Sequence, residues 1–270
     1  MKKKPLVSVI VTTKNEEKNI EGCLRSVRNQ TFKNIELILV DNYSEDRTVE
    51  IAKRYVDKLY LRGPERASQR NFGAESAEGE YLLFLDADMI LSPNVIEECL
   101  KKCEADDFDA LYIPERIVGK GFWIEVRDFE RSFYTGTVID AVRFVRKDVF
   151  RRINGFDENL VGPEDWDFDR RIKEVGKKGI VSAPLYHNEE NFNIRKYLEK
   201  KRYYSRWLNN YVEKWGANHP EISRQLGFWY RLVGVFVENG KWRRLLRYPL
   251  LTVAMYYLRF RVGLTYLLSR

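Results

Sequence analysis

The ten residues Gly79-Glu80-Tyr81-Leu82-Leu83-Phe84-Leu85-Asp86-Ala87-Asp88 carry the strongest structural signal in this chain. Their apolar run is too short for a typical helix and does not alternate with polar residues, so it predicts a strand buried on both faces. Residues 6–11 and 35–40 form two similar runs, and each of the three ends on a polar cluster. Strands of this kind are typical of a parallel sheet covered by helices.

Helical segments separate these strands. We predict helices over residues 16–29, with Asn15 as the N-cap, and over residues 45–56, capped by Ser44. A further helix ends near residue 77, and another runs to about residue 103 from Ser92 and Pro93. A short strand is expected at residues 58–61. This alternation predicts an α/β fold with an open, Rossmann-like, mostly parallel sheet flanked by helices.

The second half of the chain is less regular. Strands are expected near residues 110–114, 138–145 and 179–182, and helices over residues 122–133 and 164–175. Cys99 and Cys103 are four residues apart on a predicted helix, where packing in the core is favoured over a redox pair. Nothing in the three cysteines requires a disulfide, which favours a reducing compartment.

Sheets of this kind bind ligands at the carboxyl ends of their strands. The polar clusters at residues 12–15, 41–44 and 86–88 therefore predict one site. Asp86 and Asp88 repel each other unless a cation lies between them, and Mg²⁺ or Mn²⁺ would suit these oxygen ligands. The alternative is a solvated turn. Asp41 ends a buried strand and needs a hydrogen-bond donor, which a nucleobase N–H could supply.

Three further positions are candidates for chemistry. Arg70 precedes the Asp86 strand and could contact a phosphate or a base, or form only a surface ion pair. Glu164 and Asp165 open a predicted helix, where acidic residues often serve the helix dipole alone, yet one of them could act as a general base. His187 follows a short strand and could be a metal ligand or a packed histidine.

Charge divides the chain near residue 191. Residues 191–270 contain 16 Lys and Arg against 4 Asp and Glu, whereas the first 190 residues have a net charge of −5. The uncharged run at residues 248–258 is well short of the ~20 residues that span a bilayer. Aromatic and basic residues around it favour helices lying on an anionic membrane surface. Packing of Val233, Phe236, Leu245 and Leu246 on the first domain is the alternative.

Taken in order, segments 7–16, 40–48, 70–74, 79–88, 154–158 and 162–167, followed by His187, resemble family 2 glycosyltransferases with the GT-A fold. The resemblance covers about residues 6–190, so we expect a GT-A catalytic domain at 1–190 and a helical C-terminal extension at 191–270. Asn42-Tyr43 stands where the family usually has Asp-Gly or Asp-Asp, which leaves UDP- and GDP-sugar donors both open.

The resemblance also implies residue roles. The nucleotide-sugar site would be formed by Thr12, Thr13, Asn15, Asp41, Arg70 and Asp86. Asp88 and His187, with Asp86, would hold Mn²⁺ or Mg²⁺. Asp165 would be the catalytic base, with Glu164 beside it toward the acceptor.

These expectations define an inverting, metal-dependent glycosyltransferase that transfers a sugar, a hexose in the first instance, to a hydroxyl or lipid-phosphate acceptor. The acceptor would be a glycan or a lipid-linked molecule at the cytoplasmic face of a membrane, in glycan, polysaccharide or glycolipid synthesis. The alternatives are a sugar-nucleotide nucleotidyltransferase and a non-catalytic nucleotide-sugar binding module. A nucleic-acid-binding role is disfavoured, because the carboxylate clusters would repel phosphates.

Overall fold

A computed structural model describes residues 4–189 and 192–267. The expected domain boundary at residues 190 and 191, and the last three residues of the extension, lie outside the described residues. Ten strands are assigned in the described part of the chain: β1 Val7–Thr13, β2 Ile35–Asp41, β3 Lys58–Leu61, β4 Tyr81–Asp86, β5 Met89–Leu91, β6 Ala110–Tyr112, β7 Glu115–Val118, β8 Val142–Arg146, β9 Lys178–Ile180 and β10 Leu185–Asn188.

Seven of these strands form the main sheet, in the order β3-β2-β1-β4-β8-β6-β9. Its pairs are parallel except those that β8 makes, since β8 runs antiparallel to β4 and to β6. The predicted mostly parallel α/β sheet is confirmed. Strand β1 is central, and its register places Thr12 beside Asp86 and Thr13 beside Asp41. The three predicted polar clusters therefore meet at one edge of the sheet.

Helices cover both faces of this sheet. In the first 189 residues they are α1 Ile20–Arg28, α2 Thr48–Ala52, α3 Arg66–Ser76, α4 Val95–Asp106, α5 Phe122–Arg131, α6 Lys147–Arg152 and α7 Glu164–Val175. Alternate residues of each central strand enter two different cores: Val9 and Leu83 pack with α1 and α4, whereas Ile10 and Phe84 pack with α3 and α7. Cys99 and Cys103 are buried as thiols in the first core, which confirms the packing interpretation.

A second, three-stranded sheet has the order β5-β10-β7. None of these three strands was predicted. Strands β5 and β7 have only three or four residues and follow directly on a longer apolar run, and the short strand expected before His187 was placed at residues 179–182, whereas His187 lies within β10. Strand β10 lies between them, antiparallel to β5 and parallel to β7. This arrangement places His187 opposite Met89 and Ile117. Strand β10 therefore lies next to the loop that follows β4.

Two predicted helix caps are wrong at the site edge. Asn15 has a left-handed backbone (φ 54°) and does not cap a helix, which begins only at Ile20. Its amide oxygen instead accepts the backbone N–H of Glu45 at 2.8 Å, and its own N–H donates to the Ser44 hydroxyl at 2.7 Å. Because these bonds join the loops after β1 and β2, both side chains are used to hold the two loops together.

The helix expected at residues 92–103 also begins later than predicted. Helix α4 starts at Val95, and the residue before it, Asn94, makes no side-chain cap hydrogen bond. Ser92 and Pro93 lie in the preceding turn, where the Ser92 carbonyl accepts a hydrogen bond from the Gln30 side chain. The glutamine therefore anchors this turn to α1, and capping is not the role of Ser92.

The C-terminal region is helical. It contains α8 Ile194–Ser205, α9 Leu208–Trp215, α10 Pro220–Leu226, a π-helical turn Tyr230–Gly234, α11 Val235–Val237, a 3₁₀ turn Glu238–Gly240, α12 Trp242–Arg247 and α13 Pro249–Leu267. Helix α13 packs against α5 and α8. Across the ranges 4–189 and 192–267, no helix is both long enough and apolar enough to cross a membrane.

The packing alternative for this region holds for some of its residues only. Phe236 is fully buried in a core with Phe133 and Met255, and Leu245 is partly buried against the same core. Val233 and Leu246, in contrast, are 40% and 72% exposed. The extension therefore packs on the first domain through one face and leaves another apolar face uncovered.

Candidate active site

The strand ends of β1, β2 and β4 form the floor of the site. The Thr12 hydroxyl donates to Asp86 at 3.3 Å. Asp41 is fully buried and accepts the Ser44 N–H at 2.7 Å and the Ser44 hydroxyl at 2.5 Å. The loop after β2 therefore supplies the hydrogen-bond donors that the buried Asp41 carboxylate requires. The Thr13 hydroxyl is buried and, among the described residues, has no hydrogen-bond partner.

Asp86 lies among three arginines. Arg70 contacts it at 3.0 Å, Arg143 at 3.6 Å and Arg66 at 3.8 Å. Burial would raise the pKa of this carboxyl group, but Arg70, Arg143 and Arg66 hold it well below its usual range. Asp86 is therefore ionised and strongly compensated, and three neighbouring positive charges make it a poorer cation ligand than the sequence suggested.

Arg70 joins Asp86 to the candidate base. Its side chain is buried, with one terminal nitrogen 2.8 Å from Asp165 Oδ1 and the other 3.0 Å from Asp86 Oδ1. The guanidinium also lies over the Phe156 ring, 5.1 Å from the centroid. The surface ion pair considered for Arg70 is thus wrong: a buried, planar guanidinium that bridges two carboxylates fixes their relative position.

Glu164 and Asp165 are the first two residues of α7, as predicted. Glu164 is buried and pairs with Arg66 at 2.8 Å, while its second oxygen has no partner within the described ranges. Burial raises the pKa of Glu164, with Arg66 opposing that rise and Asp165 adding to it. The two acidic residues are therefore held by two different arginines of α3.

Helix α7 is itself anchored by the C-terminal region. Asp167, fully buried one turn into the helix, accepts the indole N–H of Trp215 at 2.8 Å and pairs with Lys214 at 2.7 Å. Arg171, one turn later, contacts its other oxygen at 2.6 Å. Asp167 is therefore a structural anchor that holds the start of α7 in place.

His187 reaches Asp88 through the small second sheet. Its Nε2 is 3.0 Å from Asp88 Oδ2, and its Nδ1 is 3.0 Å from Glu115 Oε1. Burial opposes protonation of the ring, but hydrogen bonds to Asp88 and Glu115 raise its pKa to about 10. Burial would also raise the pKa of Glu115, which Arg131, His187 and Arg143 hold below the usual range of a glutamate.

The Asp88–His187 pair has the chemistry of a cation site. Asp88 Oδ1 is buried and has no hydrogen-bond partner in the described structure, so one carboxylate oxygen is left for a ligand. A carboxylate behind a histidine, as Glu115 is here, is a common second partner of metal-binding histidines. Within residues 4–189 and 192–267, no cluster of three or more His, Cys, Asp or Glu is arranged to hold a metal. Two protein ligands would leave the remaining positions to diphosphate and water, as Mg²⁺ commonly requires.

Ion pairs connect the candidate base to the candidate cation site. Arg70 links Asp165 to Asp86, and Arg143 lies between Asp86 and Glu115, at 3.6 and 3.7 Å. Glu115 then holds His187, which holds Asp88. The structure thus joins Arg70, Asp86, Asp88, Asp165 and His187 in one network, which Thr12 and Glu164 extend. Thr13, Asn15 and Asp41 lie beside it, at the end of β1, in the loop that follows it and at the end of β2.

Three participants were missed by the sequence analysis: Arg66, Glu115 and Arg143. Glu115 and Arg143 are buried, and each is a charged residue in or beside an apolar strand. A charge in such a position needs a partner, which is the signal that could have identified them. Arg66 lies four residues before Arg70 on α3, on the same face of the helix.

Solved structures that this fold matches are glycosyltransferases of the GT-A class. A mannosyltransferase from Pyrobaculum calidifontis, PcManGT, in complex with GDP-Man and Mn²⁺, has a TM-score of 0.66 at 19% identity, covering 99% of this chain and 86% of that one. S. aureus TarS 1–349 in complex with UDP-GlcNAc has a TM-score of 0.61 at 21% identity, covering 97% and 89%. The chain therefore has the GT-A fold.

Sequence comparison gives the family. The profile of Glycosyl transferase family 2 matches residues 8–153. The glycosyltransferase MJ1057 of Methanocaldococcus jannaschii is 30% identical over 252 residues, which are 84% of this chain and 84% of that protein. The chain belongs to glycosyl transferase family 2, and the predicted resemblance is confirmed. Two other relatives, both from Bacillus subtilis, are longer, and the chain spans 62% of one and 26% of the other.

Proposed function

We propose that this protein is an inverting glycosyltransferase that moves a sugar from a nucleoside-diphosphate sugar onto a hydroxyl or lipid-phosphate acceptor. The network from Asp165 through Arg70 and Asp86 to His187 and Asp88 is the observation that carries the proposal. Inversion follows from a single in-line displacement, in which the acceptor attacks from the side opposite the leaving diphosphate. Such a reaction needs a base on one side of the sugar and charge compensation on the other.

The nucleotide would bind along the strand ends. Thr12, Thr13 and Asn15 would line the nucleoside pocket, and Asp41 would read the base. The Thr13 hydroxyl, which has no hydrogen-bond partner among the described residues, supports this placement, since a buried hydroxyl gains by meeting a ligand. Arg70 and Asp86 would border the ribose and diphosphate. TarS binds UDP-GlcNAc and PcManGT binds GDP-Man, so a uridine or a guanosine donor is the proposal.

Asp88 and His187 would hold Mn²⁺ or Mg²⁺, with Asp86 closer to the ribose than to the ion. The bound cation would offset the negative charge that develops on the leaving diphosphate. Within the chain, Glu115 keeps the His187 ring oriented toward Asp88. The Mn²⁺ in the PcManGT complex supports this assignment.

Asp165 would take the proton of the attacking acceptor hydroxyl. Arg70 orients this carboxylate, and its 2.8 Å contact with one oxygen of Asp165 leaves the second oxygen available to the acceptor. Glu164, held back by Arg66, would line the acceptor side. A general base must be within hydrogen-bond distance of the proton that it removes, and both residues open α7 at the site.

We propose residues 1–190 as the catalytic domain and residues 191–270 as a helical extension that presents a membrane-near acceptor, glycan or lipid-linked, at the cytoplasmic face. The net charge of +12 of the extension supports an anionic surface as its partner. The whole protein would then act in glycan, polysaccharide or glycolipid synthesis. The chain spans only part of some relatives, so these assignments concern the activity of this chain.

A screen of UDP-, GDP- and dTDP-sugars with Mn²⁺, read out as nucleoside diphosphate release, tests the proposal. We expect release from one nucleotide class, lost in Asp88→Ala and retained in Asp148→Ala, whose exposed carboxylate lies on α6. Undiminished release by Asp88→Ala would contradict the cation assignment. A nucleotidyltransferase would instead form the sugar nucleotide from sugar phosphate and nucleoside triphosphate. A binding module would bind nucleoside diphosphate without turnover.

A further inference from the structure

The C-terminal helices carry a line of exposed apolar side chains. Large apolar residues follow one another at intervals of four, three, four, three and four residues, with side chains between 42% and 72% exposed: Leu246, Leu250, Val253, Tyr257, Phe260 and Leu264. This spacing keeps the five residues of α13 on one side of that helix, and Leu246 of α12 precedes them. We call this line, together with Trp242 and Tyr248, the α12–α13 face.

The opposite side of α13 is buried. Ala254, Met255 and Leu258 enter the core that α5 and Phe236 complete. Helix α13 therefore has apolar residues on its outer side as well as on its buried side, whereas a helix on the surface of a water-soluble protein has a polar outer side. An exposed apolar surface of this length marks an interaction site. What covers it must be inferred from the charges that surround it.

Three of the four exposed aromatic residues of this face, Trp242, Tyr248 and Tyr257, lie beside an arginine. Arg243 lies over Trp242 at 5.6 Å, Arg247 over Tyr248 at 5.6 Å, and Arg261 over Tyr257 at 5.8 Å. Arg261 also donates to the Tyr257 hydroxyl at 2.8 Å. Aromatic rings and arginines side by side suit the boundary between lipid headgroups and acyl chains, where rings enter the apolar layer and guanidinium groups contact phosphates.

The charge of this segment has one sign. Residues 239–270 contain seven Lys and Arg and no Asp or Glu. Arg259 is compensated from outside the segment, since it turns inward to Glu130 at 2.8 Å. Arg243 and Arg247 are exposed, and within the described residues neither forms an ion pair. The partner of the face is therefore expected to be anionic as well as apolar.

A second copy of the chain is the competing occupant, because a 3–4 spacing of apolar residues is also the pattern of a coiled-coil seam. Charge disfavours it. Two copies joined through this face would bring only positively charged side chains of residues 239–270 to the contact, and a parallel pair would set each arginine beside its equivalent. No acidic residue of the segment is present to compensate either arrangement.

We propose that the α12–α13 face lies in the headgroup region of an anionic lipid bilayer, with α13 parallel to the membrane plane. The apolar line enters the outer acyl layer, and Arg243, Arg247 and Arg261 contact lipid phosphates. This proposal adds a lipid-binding surface to the membrane-near acceptor of the proposed function. Lipid binding itself does not depend on the proposed transferase activity.

Helix α8 connects the candidate active site to the α12–α13 face. Helix α13 packs against α8, and Tyr204 of α8 lies under the Arg66 guanidinium at 5.7 Å. Arg66 in turn holds Glu164 beside the candidate base. One helix therefore separates the proposed lipid contact from the acceptor side of the site, which suits an acceptor that is presented from the membrane.

Vesicle co-sedimentation of the full chain tests the proposal. We use phosphatidylcholine vesicles with or without about 30% phosphatidylglycerol. The wild type should partition at least about tenfold more strongly to the anionic vesicles, and the Leu250→Glu/Val253→Glu variant should lose that binding. The matched control is Val175→Glu/Ile180→Glu, which places two glutamates at exposed apolar positions on α7 and β9; it should bind as the wild type does.

Separate measurements distinguish the possible failures. Circular dichroism and nucleoside diphosphate release report folding and the proposed activity without vesicles, so lost transferase activity does not count against the lipid proposal. Arg243→Gln/Arg247→Gln, which leaves the apolar line intact, should also weaken anionic binding about tenfold. Equal binding by the Leu250→Glu/Val253→Glu variant and the control would overturn the proposal. So would a dimer in light scattering that this variant converts to monomer, because a second copy would then be the occupant.

Discussion

Replacing Arg70 with lysine should destabilise the protein substantially although the charge is kept. The guanidinium contacts Asp165 and Asp86 with two different nitrogens, whereas one ammonium can reach only one of these carboxylates. Loss of one hydrogen bond to a charged group costs about 1.5–3 kcal/mol. Loss of the contact with the Phe156 ring costs a further ~0.5–2 kcal/mol. We therefore expect Arg70→Lys to lower the free energy of unfolding by about 2–5 kcal/mol.

Equilibrium unfolding in urea, with Arg66→Lys as the matched control, measures this loss. Arg66 is a third exposed, and Glu164 at 2.8 Å is its shortest ion-pair contact, with Asp86 farther away at 3.8 Å. Lysine can keep the Glu164 pair, so the cost should stay below about 1 kcal/mol. Arg70→Lys should also lower kcat by about tenfold or more, because Asp165 loses its position. Equal destabilisation by the two variants, or a loss under about 0.5 kcal/mol for Arg70→Lys, would refute the bridging role.

Three further predictions concern the surroundings of the site. Glu115→Gln should weaken Mn²⁺ binding by about 10- to 100-fold, because His187 loses its charged partner; Mn²⁺ titration followed by electron paramagnetic resonance with nucleoside diphosphate present measures it, and a change under about twofold would argue against the assignment. Asp167→Asn should cost about 3 kcal/mol in urea unfolding, since a buried ion pair is broken; an unchanged midpoint would mean that the Trp215 contact alone holds α7. Burial, with Arg127 and Arg231, lowers the pKa of Lys201 to about 7. Above that pH the unfolded chain still binds the proton that the folded chain has released. The free energy of unfolding of the wild type should therefore rise relative to that of Lys201→Met, by at most about 1.4 kcal/mol per pH unit. Parallel curves of stability against pH for the two proteins would contradict this prediction.

The main sheet could be predicted from sequence because its central strands are continuous apolar runs. Residues 7–11, 35–40 and 81–85 are buried on both faces, and this pattern has few alternatives when helices lie between the runs. Helix α7 was placed correctly at Glu164–Val175, since Gly162-Pro163 and Gly176 mark both of its ends.

Helix starts near the site were less predictable. Asn15 and Ser44 are good caps by residue type, but in the structure they bond each other's loops. These hydrogen bonds join residues 29 or 30 positions apart. Helix-cap preferences describe only neighbouring residues, so they cannot predict such a contact. Strands β5 and β7 were missed for a similar reason. They are stabilised by pairing with the distant strand β10, and their own three or four residues carry too little signal to predict a strand.

The residues of the site could be predicted more readily than the contacts between them. Asp88 and His187 were expected together from the resemblance, and their 3.0 Å contact agrees with that expectation. The arginines around Asp86 were not foreseen, because α3 and β8 approach it from different parts of the chain. The assignment of a metal ligand to Asp86 accordingly has less support than that to Asp88, and both remain predictions.

Transfer by Asp165→Asn tests the central claim most directly, because this change keeps the size of the side chain and removes its basicity. With the donor identified, we expect single-turnover sugar transfer to fall by at least about 100-fold, the lower range of general-base contributions, while Mn²⁺-dependent binding of the nucleoside diphosphate changes by less than about threefold. Transfer at the wild-type rate with intact nucleotide binding would show that Asp165 is not the base.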